Sequence, residues 1–253
     1  MIRLWLGLTL AITALGGCKT DAPPTSAGAP VALPAAPDLV AKSVAAMGGE
    51  AALRAHTSSL STGTLSMPKQ GMSGPITIVQ RAPSDFYSRC DIPGIGLMEE
   101  GVTGGVAWSS DPLSGPRIKE GVEATQALRQ ADFYFSLNLA QHYPTMQTLG
   151  ASTLDGAPVW EVLMKPAEGP DEIYLIDQQS GLLVGTRTSL VTLMGTVPAN
   201  TRFLDYREVG GVLIPHKIVV SNALISSEIT YDSVQWDVPD PGIPGVPAEL
   251  TTP

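Results

Sequence analysis

Two cysteines, three histidines and 15% charged residues are the whole supply of the side chains that most often carry chemistry in this 253-residue chain. Each scarcity excludes something. The charged fraction falls well below the roughly 25% usual in globular domains. The net charge is −9, with no cluster of Lys or Arg, so nucleic acid and electrostatic docking on anionic lipid are excluded as partners. His56, His142 and His216 are too far apart to form a metal pair, and neither H-E-x-x-H nor C-x-x-C occurs. No metal or other cofactor is expected. A P-loop is lacking, and Gly101 to Gly105 has no dinucleotide-fold context. The nearest approach to a nucleophile elbow, Gly71-Met72-Ser73-Gly74-Pro75, lacks the G-x-S-x-G spacing. Glu99 and Glu100 are neighbours on one strand, so they point to opposite faces and cannot share acid–base work. No enzyme is expected. Nowhere does an apolar run reach the roughly 18 residues of a spanning helix.

What the chain does have begins at its start. Arg3 precedes the apolar run Leu4 to Ile12, and Leu15-Gly16-Gly17-Cys18 follows. Residues 1–17 read as a secretion signal. The last four residues resemble the lipobox of bacterial lipoproteins, which implies a diacylglycerol on the Cys18 sulfur, cleavage before it and acylation of the new amine. The alternative is an ordinary secretory leader with an incidental cysteine. Each buried methylene contributes about 0.8 kcal/mol of membrane affinity, so two or three chains hold stably where one does not. Losing the leader removes only Arg3, which takes the charge from −9 to about −10. Lys19, rather than Asp, follows the cysteine. By the sorting habit of enterobacterial lipoproteins, that resemblance implies the outer membrane, periplasm-facing, over the inner one. Residues 18–37 carry five prolines among Ala, Ser, Thr and Gly and read as an extended tether. At about 3 Å per residue it spans some 50 Å. Cys90 then has no disulfide partner. Its phase with Phe86 and Ile92 marks it as a buried small hydrophobe.

The folded part is expected over residues 38–240. Asp38 reads as a helix N-cap, with Leu39, Val40, Val44 and Met47 at helical spacing and Gly48-Gly49 as the stop. Glu50 to His56 could add a turn of helix. Strands follow: residues 75–81, 86–92, 106–108, 159–164, 173–177, 182–184, 186–197, 201–209, 212–220 and 225–236. Gln178 to Gly181 and Gly210-Gly211 read as hairpin turns. One helical window, Glu123 to Tyr143, interrupts them. The tail, 241–253, is Pro-rich and irregular. This order predicts a mainly β (α+β) fold: a single curled antiparallel sheet or unclosed β-barrel of about 10–11 strands with a helical lid.

Three phrases carry a resemblance: Ala46-Met47-Gly48-Gly49-Glu50-Ala51; Tyr174-Leu175-Ile176-Asp177 with Ser180-Gly181-Leu182-Leu183; and Asp205-Tyr206-Arg207 with Gly210-Gly211-Val212-Leu213-Ile214-Pro215. Together with the element order they resemble the LolA/LolB-like superfamily of lipoprotein carriers and receptors. The resemblance implies an unclosed barrel with a helical lid over an apolar cavity, which in the carriers holds acyl chains. No carrier-specific residue matches. From the residues themselves, Ile76, Ile78, Phe86, Leu97, Met98, Trp108, Trp160 and Leu175 are candidates for a cavity lining, with plain core packing as the competing reading of each. The expected function is a membrane-anchored envelope lipoprotein binding a lipid or lipoprotein acyl chain. The alternative is a non-enzymatic structural, interaction or sensor subunit with the same fold and a filled core. No protein partner can be named from the sequence.

Overall fold

A computed structural model describes residues 32–192, 195–222, 226–239 and 242–251. Cys18 and the tether up to residue 31 lie outside the described residues. Thirteen strands form one antiparallel sheet. They are β1 (Ser58–Met67), β2 (Met72–Arg81), β3 (Asp85–Ile92), β4 (Gly96–Thr103), β5 (Val106–Asp111), β6 (Gly115–Ile118), β7 (Thr145–Leu154), β8 (Ala157–Lys165), β9 (Glu172–Asp177), β10 (Leu183–Thr192), β11 (Gly195–Val209), β12 (Val212–Ser221) and β13 (Ser226–Trp236). The spatial order is β6-β5-β4-β3-β2-β1-β13-β12-β11-β10-β9-β8-β7. The chain lays down six strands outward from β1, crosses over through helices, and returns from the far edge to close beside β1. β6 and β7 remain as unpaired edges, so the barrel is unclosed.

The described residues form four α-helices: α1 (Ala36–Ala46), α2 (Gly49–Arg54), α3 (Gly121–Ala131) and α4 (Leu139–His142). Ala36 and Leu39 of α1, and Phe135, Leu139 and Tyr143 around α4, pack into the core on the concave face. There they meet Leu65, Met67, Ile76, Ile78 and Ile92 from the first half of the sheet, and Phe203, Ile218 and Ile229 from the second. The period of two puts these residues on one face and leaves their neighbours outside. Among the described residues, no helix is long and apolar enough to cross a membrane.

Three sequence expectations need correction. The strand count is 13, not 10–11: the sequence pattern misses β1, β4, β6 and β7 and splits β10 in two. Ser59, Ser61 and Gly63 in β1, Glu99, Glu100 and Gly101 in β4, Arg117 in β6 and Thr148 in β7 interrupt their apolar residues, so hydrophobic alternation is weak. The helical window over residues 123–143 is not one helix. Asp132 ends α3: its carboxylate accepts from the Tyr134 N–H (2.9 Å), the Asn138 amide (2.8 Å) and His142 Nε2 (2.6 Å), which folds the chain into turns before α4. Finally, α1 starts at Ala36 with Pro37 in its first turn, where a fixed φ and a missing N–H are tolerated. Asp38 lies within that turn instead of capping it.

The Gly210-Gly211 hairpin has φ of +59° and +82°, as the mirror-image turn between β11 and β12 requires. At Gly210 a Cβ would also lie 2.7 Å from the Trp236 ring and 2.9 Å from His56 Nε2. That turn therefore needs glycine for space as well as conformation.

Candidate functional site

The inner face of β1 runs Ser59, Ser61, Gly63, Leu65, Met67. Leu65 and Met67 belong to the core, whereas the serines lie toward the end where β1 pairs with Trp236 and Val234 of β13. Here the packing stops short. An apolar cavity of about 130 Å³ remains between the sheet and the segment that follows α3. An engineered cavity of about 150 Å³ takes up benzene, so this one accommodates a ring or a short branched group, not a whole acyl chain.

Its walls differ. On the sheet side, Ser59, Ser61 and Gln80 are the polar members of the lining, with the Tyr231 ring beside them, Ser59 and Gln80 being cross-strand neighbours. Phe133, Tyr134 and Leu137 form the lid side, and Met47 and Leu53 close it from α1 and α2. Val234, Trp236 and the Val212 to Pro215 stretch complete an apolar rim. Asp205 has a φ of +53°, and the next residue, Tyr206, joins the lining, its hydroxyl donating to the Leu183 carbonyl at 2.6 Å. Tyr231 is the contrast. It is 4% exposed and its hydroxyl has no hydrogen-bond partner among the described residues. Burial holds its phenol well above the ordinary range, so it stays a donor.

The lid is held by an aromatic and ionic clasp. His56 stacks on Trp236 with ring centroids 4.5 Å apart, and Phe133 meets the same indole edge-on. Tyr134 donates to the His56 carbonyl at 3.0 Å, with the Arg54 guanidinium over its ring. His56 Nδ1 lies 2.8 Å from the Asp237 carboxylate and Nε2 2.9 Å from the Gly210 carbonyl. Both partners can only accept, so the imidazole satisfies them fully only as the cation. Burial pulls its pKa down, but the bonds to Asp237 and Gly210 outweigh this and raise it above 6.5. Asp237 also accepts from the Thr57 and Ser58 N–H groups, and it is held at about 2, chiefly by His56. With both ring nitrogens occupied, His56 has no lone pair to offer as a base. The contacts tie His56 to the β11–β12 turn and to the residue after β13.

The eight candidates for the lining lie elsewhere. Ile76 and Ile78 are fully packed core. Phe86, Met98 and Trp160 sit at the margin of that core, Phe86 also touching the smaller cluster of Val102, Ala107 and Ala131. Leu97, Trp108 and Leu175 alternate with the inward residues and lie on the other face of the sheet, where Trp108 and Leu175 are themselves buried and the Trp108 indole covers Gly101 so closely that a Cβ there would lie 2.4 Å from it. None of the eight lines the cavity. Cys90 is buried in the core, and burial pushes its thiol up to about 11. Glu99 and Glu100 do point apart: Glu99 accepts from the Tyr87 hydroxyl at 2.5 Å, and Glu100 pairs with Lys119 at 3.3 Å. Among the described residues, no group of His, Cys, Asp and Glu could hold a metal.

Sequence reasoning passed over Ser59, Ser61, Tyr231 and Trp236. One signal was available. Serine, serine, glycine, leucine and methionine at a period of two from Ser59 to Met67 grade from polar to apolar along one face, which marks a strand whose inner end is core and whose outer end is not.

No family model and no curated protein matches the sequence. Solved structures do. A LolA superfamily protein from Nitrosomonas europaea is 13% identical, with a TM-score of 0.56 over 84% of this chain and 99% of that one. A DUF1329 family protein from Desulfovibrio piger is 12% identical, with a TM-score of 0.51 over 81% of this chain and 95% of that one. At such identities the likeness is one of fold: this chain has the unclosed, LolA-like barrel.

Proposed function

We propose that this protein is a non-catalytic binding module of the bacterial envelope, tethered by lipid on Cys18 and taking an apolar ligand under the lid formed by residues 132–143. The observation that carries the reading is the cavity. Beside a densely packed core, an apolar hollow of about 130 Å³ is left on the concave face, under the segment that the clasp holds. Natural cores leave few voids of this size without a use. The ligand is a lipid or the acyl chain of a lipoprotein, its end or a short branch seated in the hollow. A whole chain requires the lid to swing away.

A second reading has its own support. The apolar core beneath α1 and α4 is dense, as an interaction or sensor subunit with a filled interior would have it. Native mass spectrometry of a Cys18→Ala form purified from a bacterial periplasm separates the two. Bound lipid released on denaturation supports the binding module. Ligand-free protein that also fails to take up added fatty acid favours the interaction subunit. Incorporation of labelled palmitate into the wild type, lost in Cys18→Ala, tests the tether. An unmodified Cys18 in the mature chain would overturn it.

A further inference from the structure

We infer that the hollow takes a compact apolar body bearing one small uncharged group that both donates and accepts hydrogen bonds, such as a hydroxyl, held by Ser59, Ser61 and Gln80. This rests on the binding reading above and specifies the chemistry of the same site. The aromatic residues of the lining offer rings alone, because their polar atoms are turned elsewhere. The Tyr134 hydroxyl donates to the His56 carbonyl, the Tyr206 hydroxyl to the Leu183 carbonyl and Trp236 Nε1 to the Val209 carbonyl at 2.8 Å, while the Tyr231 hydroxyl is sealed away from the hollow. The serines differ. Ser59 and Ser61 are only 6% and 7% exposed, yet their hydroxyls have no hydrogen-bond partner among the described residues and, unlike that of Tyr231, keep accessible surface in the hollow. The amide of half-buried Gln80 is likewise without a partner among the described residues.

The three groups lie close together. Ser59 and Ser61 are about 7 Å apart on one face of β1, and Gln80 is opposite Ser59 on β2, about 5 Å away. One small polar group therefore reaches two of them at once. Each of the three can donate and accept, so a hydroxyl among them is satisfied in both senses, whereas a methyl there leaves them unpaired in a dry site. Farther along the same face β1 turns apolar, with Leu65 and Met67 in the core. An aliphatic residue in place of Ser59 or Ser61 would extend that packing, so the serines forgo stability that a site without a ligand would gain. Charge is excluded by the same lining. Among the described residues no Lys, Arg, His, Asp or Glu lines the hollow, and Ser136 on the lid is its one other small polar residue. A carboxylate or an ammonium would enter without a counter-charge. The volume of about 130 Å³ sets the apolar body near the size of a six-membered ring.

The test uses four ring-sized probes on the whole Cys18→Ala protein, with dissociation constants from NMR titration. They are cyclohexanol, its hydrocarbon isostere methylcyclohexane, cyclohexanone, which accepts but does not donate, and cyclohexanecarboxylate as the anion. Cyclohexanol should bind about three- to tenfold more tightly than methylcyclohexane, the range of one net hydrogen bond. Cyclohexanone should fall between them, and the anion should bind weakest. When Ser59→Ala and Ser61→Ala are combined, the alcohol's advantage should vanish while methylcyclohexane binds at least as tightly as before. Gln80→Leu should reduce the advantage partway and serves if the double variant is poorly folded. Equal affinities for alcohol and hydrocarbon in the protein with both serines, or an alcohol preference that survives their loss, would overturn the assignment while leaving the binding module standing. If no probe binds, the module reading falls with it.

Discussion

Beneath α3 the concave face is crowded with charge, whereas beneath the lid it is almost free of it. On the α3 side, Arg117 grips Glu123 in a two-pronged pair at 2.8 and 2.5 Å, Lys119 meets Glu100, and buried Arg129 reaches Glu172, which Tyr143 also approaches at 2.9 Å. Gln126, with no exposed surface, donates to the Ser189 carbonyl at 3.0 Å and accepts from the Val191 N–H at 3.1 Å. Its amide stands in for the strand neighbour that β9 stops supplying at Arg187. Such a network is costly to desolvate and costly to disturb, so it fixes one position for α3. The lid side has no buried ion pair at its centre. It has aromatic edges, one clasp near the surface and a hollow with serine and aromatic walls. One sheet therefore carries a half locked by buried charge and a half held by aromatic and apolar packing, the lid itself being anchored through Phe135, Leu139 and Tyr143.

The contrast can be broken at several strengths. Arg129→Met should have the largest effect, because it leaves Glu172, 1% exposed, without its cation. Unfolding in urea should show a loss of about 3 kcal/mol, with probe binding in the folded fraction unchanged. Ser61→Leu should do the opposite. Filling the hollow should reduce probe affinity at least about tenfold while stability shifts by no more than about 1 kcal/mol, as titration and urea melts of the same variant would show.

The clasp gives a pH signature confined to the lid half. The folded pKa of His56 is raised above its ordinary 6.5, so its stabilising contribution is complete below 6.5 and is lost as pH rises through the higher folded value. Asp237, held at about 2 against its ordinary 3.8, contributes fully above 3.8 and loses that contribution as pH falls toward 2. Hydrogen exchange across residues 132–143, corrected for intrinsic rates, should be slowest between these limits and faster on either side. Asp237→Asn should flatten the profile, with α3 unaffected. The smallest effect belongs to the exposed Glu50–Arg54 pair at 2.7 Å. Glu50→Ala should change stability by less than about 1 kcal/mol in urea, and a larger loss would mean that Arg54 anchors Tyr134 more firmly than an exposed cation over a ring can.

The same contrast explains what the sequence disclosed. Aliphatic and aromatic alternation in β2, β3, β8, β9 and β13 made the sheet and its antiparallel order legible, and Gly210-Gly211 marked a turn that only glycine can make. The locked half was partly legible too, since Arg117, Glu123 and Arg129 fall in or beside a helical window. The hollow was not. Its sheet wall lies in β1, whose Ser59, Ser61 and Gly63 carry no hydrophobic period, and its lid wall lies past Asp132, where side-chain hydrogen bonds override the helical spacing of Phe135 and Leu139. A search for greasy residues therefore found the core, at Ile76 and Ile78, and the outer face, at Trp108 and Leu175. A site that combines polar and apolar walls leaves no hydrophobic period, only the graded run from Ser59 to Met67 along one face of β1.

The most direct test is a crystal of the Cys18→Ala protein soaked in cyclohexanone. The account predicts density for the ring between the lid and β13, against the side chains that line the hollow. A cavity that stays empty, or a probe bound only on the outer face beside Trp108 and Leu175, would contradict it.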